Sequence, residues 1–194
     1  MLRMIIIMIG LFICGIASGQ HAVSKEMRNL QSAGREFRPV EIFHFQTQDL
    51  QNRSLPIAGL KKGTIISLDQ DAIESLFQSQ NEFISINVPI TNRTQMKLIL
   101  KRHEIITPDF KLFTGKDRDH PVDYTHGLHY MGIIDGDPNS LVGLSIYRNQ
   151  IMAFISDRHG NLEIKLIPGD EDFRHVIFRV EDQDQSSTPM HQHP

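Results

Sequence analysis

The chain has 194 residues, with 20 lysines and arginines against 23 aspartates and glutamates, and a formal net charge of -3 at pH 7. This length is enough for one domain with a sizeable hydrophobic core or for two small ones. The slightly acidic balance lacks the basic excess that is typical of nucleic-acid-binding domains, so no nucleic-acid partner is expected.

Residues 1–20 have the pattern of a secretory signal peptide. Arg3 supplies a positive charge, an apolar run extends from Met4 to Ile16, and the small residues Ala17, Ser18 and Gly19 follow. The apolar run is too short to span a bilayer comfortably. We expect cleavage after Gly19, which makes 1–19 the signal peptide and places the mature chain outside the cell or in the periplasm, with no membrane attachment.

The one cysteine of the sequence, Cys14, lies inside that apolar run. A lipid-modified cysteine is the alternative interpretation, because Leu11 stands three residues before it, but Ile13 is bulky where a lipoprotein signal has a small residue. After cleavage the chain has no cysteine, so the exported domain must be stabilised by its core rather than by disulfides. This composition fits a bacterial export route better than a eukaryotic one.

The first half of the mature chain is predicted to mix strands with one helix. Residues 20–38 are polar and of mixed charge, which predicts a flexible leader or a short helix. Val40 to Gln46 alternates with bulky residues on both sides, which predicts a strand covered on both faces, and Thr64 to Leu68 is a second short strand.

The stretch from Ser67 to Phe77 changes to helical spacing. Its acidic residues lie in the first turn, where the helix dipole favours negative charge, and Asp69 or Ser67 can serve as the N-cap. The apolar residues that share one helical face are Ala72, Ile73, Leu76 and Phe77. We expect this to be the only helix of any length in the mature domain.

A hairpin and a third strand are predicted next. Phe83 to Ile90 and Met96 to Ile106 alternate with period two and are joined by a turn at Asn92-Arg93-Thr94. Phe110 to Phe113 is predicted to be a strand, and Gly115 to Pro121 a loop.

The stretch from Tyr130 to Arg179 is the most regular of the sequence. It contains short runs rich in Ile, Leu and Val, separated by turn clusters of Asp, Gly, Pro, Asn and Arg. Such runs are typical of antiparallel strands joined by tight turns. One face of the predicted strands is apolar, with Val142, Leu144 and Ile146 on one and Leu162, Ile164 and Leu166 on another. We therefore expect a meander with a buried face and a solvated face.

The same stretch carries a family resemblance in the residues Tyr130-x-Gly132, Gly136-Asp137-Pro138-Asn139-Ser140, Leu144-Ser145 and His175 to Arg179. This order and spacing resembles the prodomain of reprolysin-type (ADAM-like) zinc metalloproteases in their exported bacterial version. The resemblance is clearest from Pro108 to Arg179 and fainter from Pro39 to Ile106. Leu162 departs from it, since the returning strand of the family has Ile there.

The resemblance implies a non-catalytic domain that assists the folding of a zinc protease domain and keeps it latent, in cis or in trans. Tyr130, Gly132, Gly136, Pro138, Ser140 and Ser145 are then structural residues of the family motif. Two departures stand out: the protease motif HExxH is absent, and no cysteine remains to place a thiolate on the zinc. A zinc-directed group would have to be a carboxylate or a histidine, with Asp182, Asp184, His191 and His193 as weak candidates.

Histidines near the middle of the chain are the nearest approach to a metal cluster. Zinc needs three or four ligands that converge at about 2 Å. His126 and His129 are three residues apart, so on a strand they converge only if the chain turns at Gly127. With His120 and Asp123 they would be the ligands of a small metal-dependent hydrolase, which is one alternative. We expect surface or strand histidines instead, with no metal and no other cofactor.

The serines of the meander also admit a catalytic interpretation. Ser140 and Ser145 could act as nucleophiles, but neither lies in a G-x-S-x-G elbow. Asp137-Pro138-Asn139 is better explained as a turn whose polar side chains bond the backbone. No catalytic residue is therefore predicted.

Together these patterns predict a mainly β protein, an antiparallel β-sandwich or barrel-like domain with one short helix. Its boundaries are a leader at 20–38, the β domain at 39–180, and a tail at 181–194 that is disordered or begins a linker. The expected function is that of a metalloprotease prodomain, and it is not an enzyme. The alternative from another class is a secreted binding or adhesion module on the same scaffold, with no protease partner.

Overall fold

The computed structural model of the protein describes residues 22–46, 57, 59–107, 110–115, 117–122 and 126–184. Helix α1 is formed by residues 22–32, helix α2 by Gln70–Ser79, and a 3₁₀ turn by Val180–Asp182. The strands are β1 (Arg38–Val40), β2 (Phe43–Phe45), β3 (Thr64–Leu68), β4 (Phe83–Pro89), β5 (Gln95–Arg102), β6 (Leu112–Thr114), β7 (Asp117–Val122), β8 (Leu128–Ile134), β9 (Asp137–Ile146), β10 (Ile151–Asp157), β11 (Gly160–Leu166) and β12 (His175–Arg179).

One large curled sheet forms the body of the protein. Its ten strands follow the order β1-β4-β5-β8-β9-β10-β11-β12-β3-β2, and in the described ranges the two remaining strands, β6 and β7, pair with each other. All neighbours are antiparallel except β1, which is parallel to β4. The two end strands, β1 and β2, are joined by residues 41–42 alone, and β2 also lies against β4. The ends of the sheet therefore meet, and the predicted mainly β, barrel-like fold is confirmed.

The core fills the inside of the curled sheet because alternate residues of each strand point inward. Val142, Leu144 and Ile146 of β9 are buried, as predicted, while the residues between them are only half-buried. Leu162 and Ile164 of β11 are buried in the same cluster. The meander predicted between Tyr130 and Arg179 is present as β8 to β12, each strand antiparallel to the next.

Helix α2 lies at one end of the barrel and packs into this core. Ile73 and Leu76 are buried, and Ala72 and Phe77 pack against the cluster, so the predicted apolar face is correct. The N-cap is Asp69, whose carboxylate Oδ1 accepts from the Ala72 backbone N–H at 2.8 Å. Ser67, the other possible cap, instead accepts a hydrogen bond from Gln46 within the sheet.

Replacement of the cap should weaken this helix measurably. We expect Asp69→Ala to lower the free energy of unfolding by about 1 kcal/mol, because the Ala72 N–H loses its acceptor. Asp69→Ser keeps a capping oxygen, so its free energy of unfolding should fall by only a few tenths of a kcal/mol. Urea denaturation of the two variants beside wild type measures the difference, and equal midpoints for Ala and Ser would contradict the capping role.

The expectation of a single helix is wrong. Residues 22–32, for which a flexible leader or a short helix is predicted, form the helix α1, and Met27 is buried between Ile99 of β5 and Ile133 of β8 on the outside of the sheet. Its apolar stripe is narrow, with Val23, Met27 and Leu30 four and three residues apart. So few apolar residues do not predict a helix from the sequence alone. They stabilise α1 only because they pack on an apolar outer face of the sheet, whose residues are distant in the sequence.

Other predicted boundaries also shift. Val40 to Gln46 is two strands rather than one, because the chain bends at residues 41–42 and buries Ile42 and Phe43 in succession. The loop predicted from Gly115 to Pro121 contains β7, which pairs with β6. The tail predicted from 181 is attached at its start, where the Lys61 N–H donates to Asp182 O and the Asp184 N–H to Gly59 O, both at 2.9 Å.

None of the helices in the described ranges is long and apolar enough to cross a membrane.

Candidate functional site

A cleft of about 430 Å³ opens beside the C-terminal end of α2. Its walls come from the α2 C-cap residue Gln80, from Arg102 at the end of β5 with the irregular segment 104–107 that follows, and from the start of β8. His126 and His129 both line it, so the chain does bring the two predicted histidines to one place. We call this space the β5–β8 cleft.

His129 is the most deeply buried polar residue of this cleft, at 9% exposure. Its partner in the register of β8 and β9 is Ser145, and Nδ1 lies 2.9 Å from the Ser145 hydroxyl. The ring also meets Tyr147 edge to face at 5.9 Å. Nε2 is buried and has no hydrogen-bond partner among the described residues. Burial lowers the pKa of His129, so the imidazole is neutral near pH 7.

Arg102 forms the charged part of the wall. One guanidinium nitrogen, Nη1, donates to both the backbone oxygen and the side-chain Oε1 of Gln80, at 3.2 and 3.1 Å. The other, Nη2, is ion-paired with Glu104. Gln80 caps α2 in the left-handed conformation, at φ 47°, and this turn directs its carbonyl to Arg102. The guanidinium is thus fixed in place by the helix end.

The residues that carry the family resemblance are built into the framework. Tyr130 is 1% exposed and donates to Asn81 O at 3.0 Å, and burial raises its pKa to about 12. Gly132 lies so close to β5 that a Cβ there would overlap the Ile99 carbonyl oxygen. Gly136 adopts φ 82° in the turn before β9. Each of these positions serves the packing or the turn geometry of the meander.

Pro138 and Ser140 lie at the start of β9, directly after the turn at residues 135–136. The Ser140 hydroxyl accepts from the Ile134 N–H at 2.8 Å and donates to Asp137 O at 2.6 Å, and the residue is 1% exposed. The backbone oxygen of Pro138 accepts from the Ser24 hydroxyl of α1. Ser140 therefore bonds the start of β9 to the end of β8. The turn predicted at Asp137-Pro138-Asn139 lies instead at residues 135–136, and these three residues begin β9, where the Asn139 N–H donates to Asp137 Oδ1.

The described residues offer little to a metal ion. No group of three or more His, Cys, Asp or Glu in the described part of the chain is arranged to hold one. His120 lies on β7 and is not one of the residues that line the cleft, and Asp123 lies outside the described residues. The weak candidates His191 and His193 lie outside the described residues, and Asp182 lies in the 3₁₀ turn at the other end of the barrel.

The pairing of Ser145 with His129 was not predicted. Sixteen positions separate the two residues, and they become neighbours only through the register that places His129 opposite Ser145. The signal available in the sequence was the apolar alternation of β9, which turns Ser145 outward. Ser145 and His129 do not complete a Ser-His-acid triad, because among the described residues no carboxylate bonds to Nε2 and orients the imidazole.

No protein-family model matches the chain, and no curated protein matches it either.

Proposed function

We propose that this chain is the prodomain of a secreted zinc metalloprotease, which assists the folding of the protease domain and keeps it latent. The observation that carries the proposal is the position of the resemblance residues. Tyr130, Gly132, Gly136 and Ser140 hold the β8–β9 hairpin by burial, close approach and turn bonds. A domain whose shared residues serve the scaffold, with no HExxH in its sequence, fits a folding and inhibitory role better than a catalytic one.

The outer face of β10 offers a surface for the protease domain. Met152 and Phe154 are 42% and 41% exposed, although they are large and apolar. On one side, α1 covers the outside of β5 and β8; on the other, a cluster with Leu60 covers the outside of β3 and β12. Exposed apolar side chains grouped in this way are typical of protein contact surfaces. In this proposal the protease domain binds across β10, and inhibition comes from occlusion of the protease's own active-site cleft. The mature chain has no cysteine thiolate to place on the zinc.

The test is an inhibition assay. The mature chain, Gln20 to Pro194, is mixed with the zinc metalloprotease domain encoded nearest to it, and peptide hydrolysis is followed against prodomain concentration. We expect saturable inhibition. Phe154→Ser should weaken it about tenfold or more, because the contact loses its large apolar group. Phe173→Ser is the matched control, since Phe173 is equally exposed at 41% but lies outside β10.

One result would count against the prodomain role, and another against the β10 contact alone. Absence of both binding and inhibition at about 50 μM, where weak partners still register, would favour the secreted binding or adhesion module. Inhibition that Phe154→Ser and Phe173→Ser reduce equally would keep the prodomain role but remove β10 from the contact.

A further inference from the structure

The β5–β8 cleft contains a polar atom that the described part of the chain leaves unsatisfied. Buried imidazole nitrogens are almost always hydrogen-bonded, because a lone buried polar atom loses its bond to water and gains nothing. Nε2 of His129 is buried with no partner, while Nδ1 of the same ring is held by Ser145. The imidazole lines the cleft and is fixed in position by Ser145, with one buried hydrogen-bonding group left unsatisfied.

The second observation is the state of Arg102. Its Nη1 bonds to Gln80 fix the guanidinium, so no side-chain freedom is lost when a ligand binds it. Its Nη2 already holds a carboxylate, that of Glu104. The Glu104 side chain is 71% exposed and lies only two residues away on an irregular segment, so this ion pair is weak. Glu104 thus shows which chemical group the cleft accepts, and another carboxylate can displace it.

The chemistry of both groups is met by one kind of ligand. If the Ser145 hydroxyl accepts from Nδ1–H, Nε2 is an acceptor and needs an N–H; if Ser145 donates, Nε2–H needs an oxygen acceptor. An acidic peptide supplies both, an amide N–H and a carboxylate. A single guanidinium also matches the single charge of a carboxylate. The Ile105 side chain, 64% exposed at the cleft wall, provides an apolar contact for a neighbouring residue of that peptide.

We propose that the β5–β8 cleft is a binding site for an acidic peptide segment. Arg102 receives the peptide carboxylate in place of Glu104, His129 Nε2 bonds to the peptide beside it, and Ile105 packs against the adjoining apolar side chain. The cleft is lined by other residues than the β10 surface, although Ser145 lies between His129 and Met152 in the strand register. The proposal does not depend on the prodomain proposal.

The experiment uses the mature chain and two probes, acetyl-Leu-Glu-Leu-amide and its neutral match acetyl-Leu-Gln-Leu-amide. Binding is measured by titration calorimetry, and the His129 ring nitrogens are followed by NMR in the 15N-labelled protein. We expect the Glu peptide to bind with a Kd of about 1 mM or tighter and the Gln peptide about tenfold more weakly. The Nε2 resonance of His129 should shift on addition of the Glu peptide.

Variants on both sides of the ion pair test the mechanism. Arg102→Gln should weaken binding of the Glu peptide about tenfold, whereas Glu104→Gln should tighten it about threefold because the competing carboxylate is removed. Lys97→Gln, which breaks the exposed Lys97–Asp135 pair at the opposite end of β5 from Arg102, should change nothing. A merely structural role of Glu104 cannot produce tighter binding, so this variant decides the question even if Arg102→Gln fails to fold.

Three outcomes would overturn the proposal: equal affinity for the two peptides, weaker binding by Glu104→Gln, or an unshifted Nε2 resonance at saturating peptide. An Nε2 bonded only to a buried water, with no peptide binding at about 10 mM, would likewise assign the cleft to solvent.

Discussion

Replacement of Gly132 by alanine should unfold the protein or come close to it. Gly132 faces Leu100 in the register of β8 and β5, and an added Cβ would overlap the carbonyl oxygen of Ile99 and come within 2.9 Å of the Leu100 Cα. All of these obstacles are backbone atoms of a central strand, so no side chain can rotate away. We expect a loss of about 3 kcal/mol or more in the free energy of unfolding, a large share of the total for a domain of this size.

Gly143 is the matched control for this substitution. It lies on the neighbouring strand β9, opposite Met131 of β8, and a Cβ there would meet nothing within 4 Å. Gly143→Ala should therefore be neutral or raise stability by about 0.5 kcal/mol, because alanine has less backbone entropy to lose than glycine. Chemical denaturation of both variants is the measurement. Equal midpoints would show that the backbones of β5 and β8 lie farther apart at Gly132 than in this structure.

The alternation of apolar and polar residues along the sequence predicts the second half of the fold well. From Tyr130 onward each strand contacts its sequence neighbours, so local alternation and turn residues were sufficient to identify β8 to β12. The first half needs partners that are distant in the chain. β1 pairs with β4, β3 with β12, and α1 packs on β5 and β8, and no local pattern specifies such contacts.

The candidate site could be predicted only in part. The spacing of His126 and His129 indicates a possible pair of ligands. The residues that define the cleft with them, Gln80 and Arg102, come from the end of α2 and the end of β5. Their meeting depends on where α2 sits at the end of the barrel. The side-chain bonds of Ser145 and Ser140 depend on strand register, which periodicity constrains to a face but not to a partner.

A buried histidine should make the barrel sensitive to mild acid. His175, at the start of β12, is fully buried; its Nδ1–H donates to Phe173 O at 2.8 Å, and its Nε2 accepts from the Ile151 N–H at 3.0 Å. β11 lies between β12 and β10, so this ring joins two strands that do not pair with each other. Nε2 can accept only while the ring is neutral, and burial lowers the pKa of His175 from the usual 6.5.

The direction of the pH dependence follows from that lowered pKa. Below pH 6.5 the unfolded chain binds a proton at this residue while the folded chain does not, so stability falls as the pH is lowered from 6.5 toward the folded-state pKa. The slope reaches about 1.4 kcal/mol per pH unit for one proton. His129, whose pKa is also lowered by burial, adds to the same trend. Asp170, held by a hydrogen bond from Arg174, has its pKa lowered below 3.8 and loses its contribution only in stronger acid.

His175→Phe separates the hydrogen bond from the titration. At pH 7.5 the variant should be less stable by about 1–3 kcal/mol, because the buried Ile151 N–H loses its acceptor. Between pH 6.5 and about 5 it should lose less stability than wild type, because one of the two buried histidines no longer titrates. His159→Phe changes an exposed histidine and should leave both quantities within about 0.5 kcal/mol of wild type. Urea denaturation across this pH range gives both numbers, and an unchanged pH slope in His175→Phe would mean that His175 is already protonated, or exposed, in the folded protein.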